Sequence, residues 1–280
     1  MKIGGCLYCW VRAWYLRAFG LFSGGVLTDR VNDFRLRLPA ALARHFPHDY
    51  EEQNFRFLAS RFQRGMTGID IGAHIGIYSI RMAQLGAKSV HAFEPTPSTL
   101  VLLQKMVRLN TLETVVKIHD CAVGAESGTA SFFVNEPADA FRKLSVSEAN
   151  SLQLIDHGSG IRKHPHTVQV TTVDEFVFRE DCCPGFIKID VEGSEVDVLL
   201  GSRETLRRFR PAGIVSIHAF TYRDREKTLR RIWELLDGLN YRIHHDGRLL
   251  DLAGLLQLSP QDIFDLQLEP DDGRDSLKSQ

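Results

Sequence analysis

The stretch Thr67-Gly68-Ile69-Asp70-Ile71 runs without a break into Gly72-Ala73-His74-Ile75-Gly76. An apolar run of that length reads as a buried strand, and glycines directly after it read as a tight turn into a helix. Ile75 to Leu85 carries apolar residues at helical spacing, and Lys88 to Phe93 reads as the next strand. Pro97 to Leu109 sets Leu100, Leu103 and Val107 on one helical face, and Val115 to Ile118 follows as a strand. Strand and helix in regular alternation argue for a mostly parallel sheet with helices on both faces.

The alternation then breaks. Gly128 to Val134 reads as an extra strand, and residues 135–166 are polar and weakly periodic. A long irregular insertion in a compact domain is often a functional loop or lid. The pattern resumes at Thr167 to Val173, and Phe186 to Ile189 and Ile214 to Ile217 are apolar enough for central strands. Ser194 to Leu200 reads as a short helix and Lys227 to Leu239 as an amphipathic one. Tyr241 to Ile243 and Arg248 to Leu250 read as a hairpin around Asp246-Gly247 that closes the sheet. The chain therefore divides into a helical N-terminal extension (1–60), an α/β domain (61–250, with the insertion at 135–166) and a C-terminal extension (251–280) ending in a polar tail.

Hydrophobic residues make up 44% of the chain, enough for one sizeable core. A net charge of -1 and the lack of a basic stripe argue against a nucleic-acid partner. The five cysteines show no second ligand pair at zinc spacing: Cys6 and Cys9 form one C-x-x-C, Cys182 and Cys183 are adjacent, and Cys121 stands alone. Reduced thiols in a cytoplasmic protein are the expectation. Leu7 to Leu27 is apolar and aromatic, but Arg12 and Arg17 interrupt it, and a spanning helix wants about 20 apolar residues. It reads as a helix packed on the body of the protein, or as an interfacial helix making peripheral membrane contact, with both arginines at the headgroups.

Ligands in open α/β sheets bind beyond the carboxyl ends of strands. Asp70 and Gly72 stand at the first such end, and Glu94-Pro95 follow the next, where a carboxylate can accept two ribose hydroxyls. A dinucleotide site would show G-x-G-x-x-G, whose second glycine lets the backbone approach a pyrophosphate. Here Ala73-His74 occupy that region, so a ligand without pyrophosphate fits better, and Asp70 suits an ammonium group rather than a phosphate.

The motifs Asp70-Ile71-Gly72-Ala73-His74-Ile75-Gly76-Ile77-Tyr78-Ser79, Ala92-Phe93-Glu94-Pro95 and Phe186-Ile187-Lys188-Ile189-Asp190-Val191-Glu192-Gly193-Ser194-Glu195 occur in this order. Together they resemble the FkbM-type methyltransferases over residues 60–220. The resemblance implies the class I methyltransferase (Rossmann-like) fold and S-adenosylmethionine as methyl donor. It implies that Asp70, Gly72, His74, Gly76 and Tyr78 surround the methionine part, that Glu94 and Pro95 hold the ribose, and that Asp120, Cys121 and Ala122 contact adenine. His74 departs from the Asn that is common there. The resemblance also implies O-methylation of a small molecule, often a sugar hydroxyl in a glycan.

Methyl transfer to a hydroxyl needs alignment and removal of a proton, by a base or with a metal. Asp190 and Glu192 follow one central strand and His218 follows another, so a parallel sheet gathers all three on the edge that carries Gly72. Asp190 or His218 is the candidate general base. Asp190 with His218 also resembles a metal-ligand pair, although two groups are too few to define a site. Lys188, inside an apolar strand, is expected to reach a carboxylate, because an unpaired buried ammonium is costly. Two other readings stay open: a nicotinamide-dependent oxidoreductase, and a non-catalytic protein with a degenerate fold of this kind.

Overall fold

The computed structural model describes residues 25–134, 164–258 and 263–271. The chain begins there with an antiparallel hairpin of β1 (Val26–Val31) and β2 (Phe34–Pro39). Asn32 takes a left-handed φ of 49° at the connecting turn. Phe34, Leu36 and Leu38 are buried while Arg35 and Arg37 are exposed, the period-two pattern of a half-buried strand. The extension expected to be helical over 1–60 thus contains this hairpin, and α1 (Glu52–Arg61) follows it. Most of the apolar segment Leu7 to Leu27 lies outside the described residues. Among the described residues, no helix is long and apolar enough to cross a membrane.

The central run is β3 (Thr67–Ile71), α2 (Ile77–Gln84), β4 (Ser89–Phe93), α3 (Pro97–Leu109) and β5 (Val116–His119). Every residue of β3 is buried, as a strand covered on both faces must be. Pro97 opens α3, where its missing N–H costs no helical hydrogen bond. β6 (Ala122–Val123), β7 (Gly128–Val134) and β8 (His164–Thr171) form a separate three-stranded sheet in the order β6-β8-β7. β7 and β8 pair antiparallel from Gly128 opposite Val170 to Val134 opposite His164. The polar insertion expected at 135–166 is therefore cut short by the first residues of β8, and 135–163 lie outside the described residues.

α4 (Val173–Arg179) follows, capped by the Thr172 hydroxyl, which accepts from the Glu175 amide. Then come β9 (Pro184–Ile189), α5 (Glu195–Leu200), α6 (Arg203–Phe209), β10 (Ala212–His218), α7 (Arg225–Gly238), β11 (Tyr241–His245), β12 (Arg248–Leu249), α8 (Leu252–Gln257) and β13 (Ile263–Pro270). The main sheet has the order β12-β11-β13-β10-β9-β3-β4-β5. β3, β4, β5, β9 and β10 are parallel, and β13 runs antiparallel between β10 and β11. The hairpin at Asp246-Gly247 exists, but it does not close the sheet on β10. The strand from beyond residue 250 does, so the C-terminal extension begins as part of the core.

Two apolar layers cover the sheet. Ile69, Ile71, Ile187, Ile189, Val215 and Ile217 point into one, with α4, α5, α6 and α7. Val90, Ala92, Phe186 and Ile214 point into the other, with α1, α2, α3 and the N-terminal hairpin. Alternate residues on β3 and β9 therefore face opposite ways. Asp70 and Lys188, paired in register, sit together under α2.

Candidate active site

The carboxyl ends of β3, β4, β9 and β10 open on a cavity of about 450 Å³, in the range of small-molecule sites. Its lining brings together Gly72, His74, Glu94, Pro95, Cys121, Ala122, Asp190, Glu192 and His218, residues spread over most of the chain. Asp70, Gly76, Tyr78 and Asp120 are not among the lining residues.

Gly72 shows why the first turn has its sequence. Its φ is +71°, and a Cβ there would stand 1.8 Å from the Asp190 carbonyl oxygen. Only glycine lets the turn after β3 pass so near the turn after β9. Gly72 and Ala73 both donate backbone N–H groups to the Phe93 carbonyl, at 3.0 and 2.9 Å, and Asp190 N–H donates to Ile71 at 3.0 Å. The three strand ends are thus laced together. His74 follows with φ +53°, a left-handed conformation in which asparagine is also at home. Its amide donates to Glu94 Oε2 at 2.9 Å, and the Thr96 amide donates to Glu94 Oε1 at 2.9 Å. The Thr96 hydroxyl is a third donor to this carboxylate, which still keeps acceptor capacity. Burial raises the Glu94 carboxyl above its usual range, against the lowering pull of the Thr96 hydroxyl and the two amides. Burial also holds the His74 imidazole neutral, with a pKa lowered to about 4. His74 Nε2 is buried with no hydrogen-bond partner in the protein.

Asp70 acts from behind the wall. It accepts the Ser79 hydroxyl at 2.6 Å, tying β3 to the first turns of α2. Gly76 precedes that helix at φ +88° and packs against Leu103. Tyr78 stacks on Phe55, with ring centroids 4.6 Å apart, and its hydroxyl donates to Glu51. Lys188 reaches the carboxylate expected of it, donating to Asp190 Oδ2 at 2.8 Å with its ammonium over the Tyr78 ring. Burial would lower that lysine, but Asp190 and Asp70 outweigh burial and keep it charged. Lys188 and then His218 hold Asp190 below its usual range despite desolvation.

His218 sits at the other end of the cavity, only 2% exposed. Its Nδ1 lies 2.8 Å from Glu195 Oε1, and its Nε2 lies 3.6 Å from Asp190 Oδ1 and 3.4 Å from Glu192 Oε2. Burial would lower the imidazole, but the Glu195 hydrogen bond and the Asp190 and Glu192 charges push it up to about 9. Glu195 is fully buried and also accepts from Tyr222 (2.7 Å) and from the Gly193 amide (2.9 Å). In sequence Glu195 looks like a first-turn acid favouring a helix dipole. In the structure it orients His218.

Other lining residues escaped the sequence reading. Ser216 and Asp265 face each other across β10 and β13, 2.6 Å apart. Their pairing depends on where the C-terminal strand inserts, which no local pattern reveals. Tyr50 and Glu51 arrive from the segment before α1, and Glu51 is held at φ 44°. Thr96, Thr99 and Phe132 complete the wall around Phe93. The charged lining is mostly acidic, with Glu51, Glu94, Asp190, Glu192 and Asp265, and Ile71, Phe93, Val123 and Phe132 supply an apolar wall.

A parallel sheet with a glycine turn after its central strand and an acid after the next strand gathers a ligand cavity at its carboxyl edge. Residues 70–243, more than half of the chain, match the methyltransferase FkbM domain, and the chain belongs to that family. Methyltransferase 1 of Beauveria bassiana is 27% identical over 143 residues, covering 48% of this chain and 57% of that protein. Methyltransferase sdnD of Sordaria araneosa is 27% identical over 161 residues, covering 49% of this chain and 60% of that protein. The chain thus spans less than two thirds of the length of either relative. The solved structure of methyltransferase FkbM from Methylobacillus flagellatus is 20% identical, with a TM-score of 0.48, and the match covers 74% of this chain and 44% of that one.

Proposed function

We propose that the protein transfers a methyl group from S-adenosylmethionine to a hydroxyl of a sugar, glycan or related small molecule. The observation that carries this reading is the cavity itself, a half-apolar, mostly acidic chamber between Glu94 and His218. Its donor set fits the cofactor. An adenine ring suits the apolar wall of Phe93, Cys121, Ala122 and Val123. Glu94 has lone pairs left for ribose hydroxyls, and Pro95 and Asp120 flank these positions in sequence. The turn Gly72 to Gly76, with the unpartnered Nε2 of His74, suits the methionine part, while Asp70 and Tyr78 brace the turn from behind. When bound, the cofactor supplies an electrophilic methyl on a cationic sulfur, and the acidic lining favours that charge. At the other end Asp190, Glu192 and His218 orient the acceptor hydroxyl and promote loss of its proton. The family membership supports methyl transfer over the nicotinamide reading.

A labelled-methyl assay against sugar nucleotides and extracted glycolipids tests the reaction, with product analysis for a methyl ether. Label appearing on nitrogen or carbon only would sink the hydroxyl assignment, and absence of transfer to every acceptor would favour a degenerate fold. Glu94→Ala tests the cofactor end. Loss of charge-assisted hydrogen bonds of this kind costs about 1.5–3 kcal/mol, so S-adenosylmethionine affinity should fall at least about tenfold by calorimetry. Unchanged affinity in a variant that stays folded would remove Glu94 from the ribose role.

A further inference from the structure

The geometry points to a divalent-cation site formed by Asp190, Glu192 and His218, with its open positions directed into the cavity. The structure supplies the third group that the pair Asp190 and His218 lacks. A ligand atom from each of the three residues lies within 4.8 Å of the other two, and the measured edges from His218 Nε2 are 3.6 Å to Asp190 Oδ1 and 3.4 Å to Glu192 Oε2. Six-coordinate cations of this class take donors at about 2.1 Å, which puts neighbouring donors about 3 Å apart. The two edges from His218 lie about 0.4–0.6 Å beyond that spacing, and the two carboxylates would have to draw together around the ion.

The surroundings of the cluster are those of a ligand set rather than a solvated acidic patch. His218 is 2% exposed and carries a carboxylate partner on the nitrogen that faces away from the cluster. A metal-bound histidine usually has such an outer partner, which fixes the ring orientation, and a cation here would take the place of the proton on Nε2. Glu195 in turn is locked by Tyr222 and Gly193. Asp190 is held on its far oxygen by Lys188, leaving Oδ1 on the His218 side. Three protein donors leave about half of an octahedral shell for water and acceptor oxygens, and all three residues line the cavity. Two carboxylates and one imidazole suit Mn²⁺ or Mg²⁺, cations that also take hydroxyl oxygens.

The site's consequence for catalysis rests on the proposed methyl transfer, but its existence does not. A coordinated hydroxyl loses its proton more readily. The proton would pass to solvent water, the O–CH₃ bond would form, and the S–CH₃ bond would break with its electron pair left on sulfur. His218 would then serve as a ligand and not as a free base.

The test uses the purified chain and Mn²⁺ alone, followed by electron paramagnetic resonance and calorimetry. The wild type should bind one Mn²⁺ per chain at about 1 mM or tighter. Glu192→Gln should lose at least about tenfold in affinity while keeping its S-adenosylmethionine affinity and melting temperature within small shifts, whereas His218→Ala, which strips the buried Glu195 of its imidazole partner, should lose Mn²⁺ together with a clear fall in melting temperature. Asp265→Asn alters a carboxylate of the same cavity outside the cluster and should change Mn²⁺ affinity less than about twofold. Absence of saturable binding overturns the proposal, as does an equal loss in Asp265→Asn, which would mark diffuse attraction by the acidic lining. Mn²⁺ binding without methyl transfer would support the site and count only against the proposed reaction.

Discussion

Gly72→Ala should unfold the strand-end architecture or empty the active site, with turnover reduced more than about 100-fold. Two costs add. A left-handed φ of +71° costs an alanine about 1–2 kcal/mol. The added methyl would lie 1.8 Å from a backbone oxygen, the Asp190 carbonyl, which cannot swing aside as a side chain would. Overpacking of that kind costs about 1–3 kcal/mol or more. At about 2–4 °C per kcal/mol in a chain of this size, the melting temperature should fall by about 4–20 °C. The comparison that isolates the close approach is Gly65→Ala. Gly65 has φ +88° and nothing within 4 Å of its virtual Cβ, so only the conformational cost applies. Turnover should survive in Gly65→Ala, because that turn is remote from the cavity lining. If the two variants melted and turned over alike, the tight contact between the turns after β3 and β9 would not matter.

This contact also shows what could be read from the chain alone. The motif Asp70 to Gly76 announced a strand turning into a helix, and the order of apolar runs from Thr67 to Ile217 announced a parallel sheet. Those signals are local, since a buried parallel strand must be apolar on both faces. Pro97 at the start of its helix was equally legible. Three features were not recovered. The hairpin Val26 to Pro39 carried period-two alternation, but a helical reading of the whole extension overrode it. The helices Val173 to Arg179 and Arg203 to Phe209 are too short for a firm 3.6-residue period. The strand Ile263 to Pro270 falls in the C-terminal extension, where Phe264, Leu266 and Leu268 alternate with Asp265, Gln267 and Glu269. Only pairing with Gly213 to His218 makes it a strand, and pairing is a long-range property.

The site followed the same division. Asp190, Glu192 and His218 could be assigned to one edge because strand ends in a parallel sheet converge. Their spacing could not be known, and neither could the partners that aim them. Glu195 illustrates the gap: position i+3 after Glu192 reads as helix chemistry, yet the loop bends at Glu192 (φ 53°) and Gly193 (φ 106°) and turns it inward under His218. Ser216 and Asp265 depend on the same missing strand.

Glu195→Gln is the second substitution expected to act strongly, and its effect should separate orientation from stability. The carboxylate is fully buried and serves His218 Nδ1, the Tyr222 hydroxyl and the Gly193 amide. Alanine would leave these groups without an acceptor at a cost of about 3–5 kcal/mol, and loss of fold would obscure the result. Glutamine keeps the shape but offers one acceptor oxygen and one donor nitrogen. If that oxygen faces Nδ1, the amide nitrogen meets Tyr222, and if it faces Tyr222, the imidazole must give up its Nδ1 proton and keep the one on Nε2. Turnover should fall by about 10²–10⁴-fold, because mis-set imidazoles in hydrogen-bonded pairs of this kind cost that much. S-adenosylmethionine affinity should remain, since the cofactor end of the cavity lies beside Glu94 and not beside Glu195. Mn²⁺ affinity should fall by about 10–100-fold, the usual effect of removing a histidine's outer partner. Tyr222→Phe, which deletes only one of the three hydrogen bonds, should fall between this variant and the wild type on both readouts. A Glu195→Gln protein that melts lower but keeps its turnover and Mn²⁺ affinity would make Glu195 a structural acid only, and the orientation of His218 would then have to come from Asp190 and Glu192.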